Sequence, residues 1–220
     1  MNKIEGIFAP IATIFDASGD LDIVRFGENV KKFNETGLSG LVVLGSNGEF
    51  ALLTHGEKIR LLEAARENIS KDKLLIAGTG CESLRETIEL TKECAGIGVD
   101  GVLVVTPSYY KSDITNKALE LYFRSVADES PVPLLLYNMP RNTGINMGPD
   151  LVASLAEHPN IVGIKDSSGN ISQIAEIIAK CPSDFAVFAG SGSFLLPTLA
   201  LGGVGGTLAV ANVIPDYCVA

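Results

Sequence analysis

One lysine of this chain stands where it could act as a nucleophile. Lys165 closes the apolar run at 161–166, and of 11 lysines it alone lies at the far end of a predicted strand. Side chains alternate along a strand, so Ile161, Gly163 and Lys165 share one face. If that face points into a core, lost hydration lowers the pKa of the amine toward the range useful for forming a Schiff base. A lysine that reaches water or pairs with a carboxylate is the open alternative.

A tyrosine ends the preceding predicted strand. Pro133, Leu135 and Tyr137 share one face of it, and neighbouring strands lie only about 4.8 Å apart. The phenol of Tyr137 can therefore reach the same space as Lys165 and exchange a proton with a substrate hydroxyl. A core tyrosine with a satisfied hydroxyl is the alternative.

Two glycine-bracketed loops follow other predicted strands. In the loop at 45–49, backbone N–H groups and the hydroxyl of Ser46 suit a carboxylate, although a plain structural turn fits the same pattern. The loop at 190–193 lies where many barrels bind a phosphate, which remains a secondary interpretation. Leu195 occupies the third glycine position of a dinucleotide fingerprint, so nucleotide binding is discounted.

The chain offers few metal ligands. His55 and His158 are its only histidines and lie far apart in the sequence. An imidazole-rich metal site needs more than these two side chains. No histidine is positioned by the sequence to activate Cys81, which we interpret as a buried thiol. We therefore expect chemistry without a metal or a cofactor.

Composition and charge narrow the classes of partner. The chain has 220 residues, 46% of them hydrophobic and 20% charged, as in ordinary globular domains. Its net charge of −9 has the wrong sign for neutralising nucleic-acid phosphates. The uncharged stretch at 185–215 is long enough to cross a bilayer, but six glycines and Pro197 break it, so we expect a buried core and no membrane partner. Four cysteines without CxxC spacing, and no secretory signal, predict reduced thiols in the cytoplasm.

Short aliphatic runs alternate with segments of helical periodicity along the whole chain, which predicts a parallel sheet. Eight such runs favour a (β/α)8 barrel that forms one domain over residues 1–220, and an open doubly wound sheet is the alternative. The predicted strands are Gly6–Phe15, Gly40–Leu44, Leu74–Gly78, Gly101–Thr106, Pro133–Asn138, Ile161–Asp166, Phe185–Ala189 and Gly206–Val210.

Capping residues mark the starts of three predicted helices. Thr54 precedes Glu57 by three positions, and the pairs Ser83 with Glu86 and Asn170 with Gln173 have the same spacing. After the eighth strand only residues 211–220 remain, and Pro215 is typical of the first turn of a helix that the sequence then stops supplying. We therefore expect the last helix and a C-terminal helical region to be missing.

Several motifs together resemble one known family. GSNGE at 45–49, TPSYY at 106–110, YNMPRNTG at 137–144 and GIKDSSGN at 163–170 are similar to the dihydrodipicolinate synthase and N-acetylneuraminate lyase family of Schiff-base barrel enzymes. A GS segment and a GGVGG segment near the end extend the resemblance, which runs from about Gly6 to Pro215. These motifs are highly specific in combination.

The resemblance implies roles for individual residues. Lys165 would form the imine with a 2-oxo acid that contains a pyruvate moiety, Tyr137 would shuttle protons, and Ser46 and Asn47 would hold the carboxylate. The proton relay from Tyr137 would run through the catalytic hydroxyl of Ser46 and through Tyr109, which matches a tyrosine that completes the relay from a neighbouring subunit. The resemblance therefore implies a homo-oligomer, either a dimer or a tetramer of two dimers.

Other matched positions bear on the substrate. Asn142 stands where the synthase branch has an arginine for a second carboxylate, and Arg141, one position earlier, is expected on the opposite side. The pattern looks more like the branch that acts on 4-hydroxy-2-oxoglutarate, in which the serine matching Ser167 helps bind the distal carboxylate. We count Asn142, Ser167 and Gly190 among the expected substrate-binding residues.

The expected function is a class I lyase that cleaves a 4-hydroxy-2-oxo acid, 4-hydroxy-2-oxoglutarate above all, into pyruvate and glyoxylate. One alternative is a synthase that condenses pyruvate with aspartate semialdehyde. The other is a barrel that binds 2-oxo acids without catalysis, which the short C-terminus makes conceivable.

Overall fold

Eight parallel strands close into a ring in the computed structural model, which describes residues 3–220, and each strand pairs with the next along the chain. The eighth strand pairs with the first, so the fold is a (β/α)8 TIM barrel and the open sheet is excluded. The strands are β1 Gly6–Pro10, β2 Gly40–Val43, β3 Leu74–Gly78, β4 Gly101–Val105, β5 Leu134–Asn138, β6 Ile161–Asp166, β7 Ala186–Ala189 and β8 Gly205–Thr207.

Helices surround the ring. They are α1 Ile23–Asn34, α2 His55–Asn68, α3 Leu84–Ile97, α4 Asn116–Glu129, α5 Pro140–Thr143, α6 Pro149–Ala156, α7 Ile171–Lys180, α8 Leu195–Ala200 and α9 Pro215–Val219. Short 3-10 helices lie in the loops, at Ser46–Gly48, Phe50–Leu52, Gly192–Phe194 and Ala209–Asn212. Over residues 3–220, no helix is both long and apolar enough to span a bilayer.

The strands are buried on both faces, as expected for a sheet covered by helices. Their outward side chains join the helices in one apolar cluster. Their inward side chains fill the barrel in a second cluster, in which the rings of Phe8 and Phe188 meet edge to face at 5.9 Å. This inner cluster forms an apolar floor beneath the carboxyl ends of the strands.

The predicted helix starts are confirmed. The hydroxyl of Thr54 accepts from the backbone N–H of Glu57, whose carboxylate accepts in turn from Thr54. Ser83 and Asn170 likewise accept from the backbone N–H three residues later. These caps fix where α2, α3 and α7 leave their loops.

The predicted bounds differ from the structure by more than one residue in two strands. The first strand stops at Pro10 instead of Phe15, which forms an isolated antiparallel bridge with Leu21. The eighth strand covers Gly205–Thr207, because the chain turns into a 3-10 helix at Ala209–Asn212. As predicted, a helix begins at Pro215, and it covers Pro215–Val219.

Candidate active site

Lys165 and Tyr137 face each other across neighbouring strands. They are paired in the register of β5 and β6, and both side chains are only 4% exposed. The Lys165 Nζ lies 4.1 Å from the centroid of the Tyr137 ring. The phenolic oxygen lies 3.4 Å from the hydroxyl of Ser46, within hydrogen-bond distance. An amine, a phenol and a hydroxyl therefore meet at the carboxyl end of the barrel.

Burial and the interaction between the two groups shift the pKa of the Lys165 amine and of the Tyr137 phenol. Burial lowers the pKa of Lys165 from its ordinary value of 10.5, because the ammonium loses its hydration, and the adjacent phenol opposes this only in part. Burial alone would raise the pKa of Tyr137. The charge of Lys165 and the contact with Ser46 outweigh burial and lower that pKa below its ordinary 10.0. Both groups therefore exchange protons at a lower pH than the free side chains do.

The loop that carries Ser46 is held in a strained conformation. It lies between two non-glycine residues with positive φ, Leu44 at 60° and Glu49 at 56°. The hydroxyl of Thr13 donates to the Gly48 carbonyl at 2.6 Å and secures the turn. Among residues 3–220, the backbone N–H groups of Ser46 and Asn47 have no protein acceptor. These two donors and the Ser46 hydroxyl are available to a carboxylate.

A cavity of about 420 Å³ opens above the amine. Ligand pockets commonly measure about 300 to 1,000 Å³, so a small organic acid fits with room to spare. Its walls are polar on the side of the loops that follow β6 and β7. The lining residues include Ser46, Asn47, Tyr137, Arg141, Lys165, Ser167, Ser168, Gly190, Ser191 and Ser193.

A buried polar cluster behind β6 was missed by sequence reasoning. The fully buried carboxylate of Asp166, next to Lys165, accepts from the side-chain amides of Asn138 at 2.8 Å and Gln173 at 3.0 Å. Its other oxygen accepts from the backbone N–H of Ser168. These hydrogen bonds connect the end of β6 to β5 and α7. They therefore fix the position of the strand that carries Lys165. The Asp that follows Lys165 in the sequence was the available signal.

Residues 3–220 match the model of the dihydrodipicolinate synthetase family. The chain belongs to this family.

Individual relatives in the family carry two kinds of name. A probable mitochondrial 4-hydroxy-2-oxoglutarate aldolase from Emericella nidulans is 38% identical over 221 residues, which cover 98% of this chain and 72% of that protein. A 4-hydroxy-tetrahydrodipicolinate synthase from Methanothrix thermoacetophila is 40% identical over 211 residues, which cover 96% of this chain and 70% of that protein.

A solved relative shows the ligand class of one family member. It is a prophage protein of the dihydrodipicolinic acid synthase family from E. coli K12, in complex with pyruvate. It matches this chain with a TM-score of 0.94 at 35% identity, covering 98% of this chain and 73% of its own. The family and its aldolase members make the present chain an enzyme of the lyase class.

The family motif residues divide between two cavities. Ser46, Asn47, Ser167 and Gly190 line the Lys165 cavity. Asn142 instead lines a neighbouring cavity of about 370 Å³, which shares Ser46 with the first.

Arg141, expected to lie away from the site, lines the Lys165 cavity. In the short helix α5, the exposed residue 141 lines the Lys165 cavity and residue 142 lines the neighbouring one. Strand periodicity does not extend into such a turn.

Tyr109 lies outside the Lys165 cavity of its own chain. It is 76% exposed in the loop after β4, where its ring meets that of Tyr110 edge to face at 5.0 Å. Its backbone N–H donates to the carboxylate of Glu82 at 3.0 Å, which anchors the loop. The ring thus faces outward from the barrel mouth.

The two histidines form surface contacts. His55 pairs with Glu93 at 2.8 Å and His158 with Asp128 at 3.0 Å. In the part of the chain that the structure describes, no group of three or more His, Cys, Asp or Glu side chains is arranged to hold a metal ion. Cys81, expected to be buried, is half-buried and lines the neighbouring cavity, and its partial burial raises the pKa of its thiol to about 11.

We expect Gly190→Ala to impair this family enzyme sharply. A Cβ at position 190 would lie 1.9 Å from the Ser167 hydroxyl and 2.8 Å from the Asp166 carbonyl. The backbone N–H of Gly190 donates to that carbonyl at 2.7 Å. The loop must therefore shift, at a cost of about 1 to 3 kcal/mol in the free energy of unfolding and with loss of turnover.

Chemical denaturation and steady-state kinetics check this prediction. Gly192→Ala is the matched control, because its added Cβ would meet nothing closer than 3.4 Å. Equal effects of the two substitutions would contradict the steric explanation.

The lowered pKa of Lys165 predicts a pH profile. Only the neutral amine attacks a carbonyl, and its fraction rises as the pH passes the pKa of the folded protein. Because burial lowers that pKa from 10.5, the rate of imine formation should level off below pH 10.5. Rapid borohydride quenching with pyruvate over a pH series measures it, with Nα-acetyl-lysine as the unburied reference. A rate that still climbs at pH 10.5 would contradict the assigned environment.

Proposed function

We propose that this chain is a class I aldolase that cleaves a 4-hydroxy-2-oxo acid, specifically 4-hydroxy-2-oxoglutarate, into pyruvate and glyoxylate. The observation that carries the proposal is the buried Lys165 amine, 4.1 Å from the Tyr137 ring in a cavity of about 420 Å³. An amine in this environment is a nucleophile toward ketones. The pyruvate-bound relative supports a 2-oxo acid as the ligand.

Binding of the substrate begins at its C1 carboxylate. The free N–H groups of Ser46 and Asn47 and the hydroxyl of Ser46 would hold this carboxylate at the cavity wall. Such placement leaves the C2 ketone beside Lys165. Fixing one end of the substrate turns the attack into an effectively intramolecular step.

Cleavage follows from the imine. Lys165 adds to C2 and water leaves, which gives a protonated imine. The imine takes up the electron pair of the C3–C4 bond as Tyr137 accepts the C4 hydroxyl proton, and glyoxylate departs. The resulting enamine is protonated at C3, and hydrolysis then releases pyruvate and the free amine. The contact between Tyr137 and Ser46 offers a route for the proton.

We also propose that Tyr109 completes the proton relay in a neighbouring subunit. Its exposure on the barrel face and its position beside Tyr110 support a role outside its own chain. The enzyme would then be a homodimer or a homotetramer in which residues 1–220 act as one domain. Its four free thiols fit a reducing compartment such as the cytoplasm.

The rival within the family is the 4-hydroxy-tetrahydrodipicolinate synthase reaction, with aspartate semialdehyde as the second substrate. Asn142 favours the aldolase, because an uncharged amide replaces the arginine of the synthase motif. Steady-state assays with glyoxylate and with aspartate semialdehyde as acceptors for pyruvate separate the two reactions. A higher kcat/KM with aspartate semialdehyde would contradict the aldolase assignment.

The rival from another class is a barrel that binds 2-oxo acids without turnover. Borohydride reduction in the presence of pyruvate, followed by peptide mass mapping, should give a reduced imine on the peptide that contains Lys165. Pyruvate binding without an adduct on Lys165 would rule out the Schiff-base enzyme and leave the binding protein.

A further inference from the structure

We propose that Arg141 selects substrates that carry a second carboxylate at the end remote from the 2-oxo group. This inference rests on the proposed function of the Lys165 cavity and names the residue that sets its substrate class. It assigns to position 141 a recognition role on the wall of this cavity.

The charged residues around the Lys165 cavity favour an anionic ligand. The chain carries 26 acidic residues against 17 basic ones, yet among residues 3–220 no Asp or Glu lines the Lys165 cavity. Its two basic residues are Lys165 and Arg141. Over residues 3–220, Arg141 has no carboxylate within 4.0 Å. A cationic site without a protein counter-ion is complementary to an anionic ligand.

Lys165 and Arg141 act on different parts of the substrate. Lys165 is neutral when it attacks the ketone, and the charge it later carries, as the protonated imine, lies at C2 and away from the remote end of the substrate. The groups at Ser46 and Asn47 are neutral donors and suffice for one carboxylate. A guanidinium group is a permanent cation in proteins. A monoanionic substrate would leave the Arg141 guanidinium unpaired, whereas a dianionic one pairs it.

Hydrogen bonds hold the backbone that carries Arg141 in place. Arg141 belongs to α5, which starts three residues after Tyr137. The Thr143 hydroxyl contacts the Met139 and Ile145 carbonyls at 3.1 Å each, and Gly144 ends the helix with its N–H bonded to the Pro140 carbonyl. The backbone that presents the guanidinium is therefore fixed relative to β5. A planar guanidinium on such a backbone suits bidentate binding of a carboxylate.

The test uses a matched pair of ligands. 2-Oxoglutarate and 2-oxovalerate have five-carbon chains that differ only in the terminal carboxylate. Their affinities for the wild-type enzyme and for Arg141→Gln are measured by calorimetry, which does not depend on turnover. We expect Arg141→Gln to bind 2-oxoglutarate about 10- to 100-fold more weakly and to bind 2-oxovalerate unchanged. Arg141→Lys should recover part of the loss, because it keeps the charge without the fork.

Arg60→Gln is the control substitution, since Arg60 is exposed on α2 and lines neither cavity. It should leave both affinities unchanged. An unchanged affinity of Arg141→Gln for 2-oxoglutarate, or an equal loss for both ligands, would overturn the inference. Failure of the proposed function is distinguishable, because it would show as no pyruvate adduct on Lys165 in the wild-type enzyme whatever the Arg141 result.

Discussion

Replacement of Lys165 by arginine should lower kcat by about 10⁴-fold or more and abolish borohydride trapping of pyruvate. Arginine keeps the positive charge and much of the length of the side chain, but its guanidinium stays protonated and cannot add to a ketone. The buried site loses the one group able to form the imine. Single-turnover assays and peptide mass mapping measure the two losses.

Lys180→Arg is the matched control for this substitution. Lys180 lies on α7 and pairs with Asp150 on the surface, so arginine can replace it without loss of activity. Circular dichroism should show both variants folded. Turnover of Lys165→Arg at the wild-type rate would contradict the assignment of the nucleophile.

Tyr137→Phe should lower kcat by about 10²- to 10⁴-fold, the usual contribution of general acid–base catalysis. The substitution keeps the ring beside the Lys165 amine and removes the hydroxyl that contacts Ser46. Binding of pyruvate should change little, because the ring still fills the same space. The loss should therefore appear in kcat much more than in KM.

Tyr110→Phe gives the matched control, because this tyrosine is exposed and lies outside the Lys165 cavity. It should retain wild-type kinetics. A Tyr137→Phe enzyme with unchanged kcat would remove the phenol from the proposed mechanism, and the proton would then need another acceptor.

Strand periodicity was enough to bring the central pair together. Tyr137 and Lys165 end successive strands on the same face, and the register of the barrel pairs them directly. Counting eight strand-helix units was enough to predict a closed ring. Both results follow because backbone pairing and side-chain alternation are regular properties that sequence patterns record.

These sequence patterns do not predict the orientation of side chains outside the regular strands and helices. Arg141 lies in a four-residue helix whose orientation depends on the Thr143 and Gly144 contacts, so no period in the sequence predicts which way it points.

On α3, the buried residues are Thr87, Leu90, Thr91 and Cys94. The hydroxyl of Thr87 meets that of Tyr122 at 2.7 Å, so a polar residue faces the core. Tertiary hydrogen bonds of this kind override local hydrophobic patterning.

The amine and the phenol stand on paired strands, whereas Arg141 stands on the loop that follows one of them. Cleavage of the C–C bond and recognition of the substrate therefore depend on different segments of the chain. A change of loop sequence after β5 can retarget the enzyme to another aldehyde while the reaction itself is inherited intact. Replacing residues 139–144 with those of a relative that uses a different acceptor would change the acceptor preference. The reaction at Lys165 and Tyr137 would stay the same.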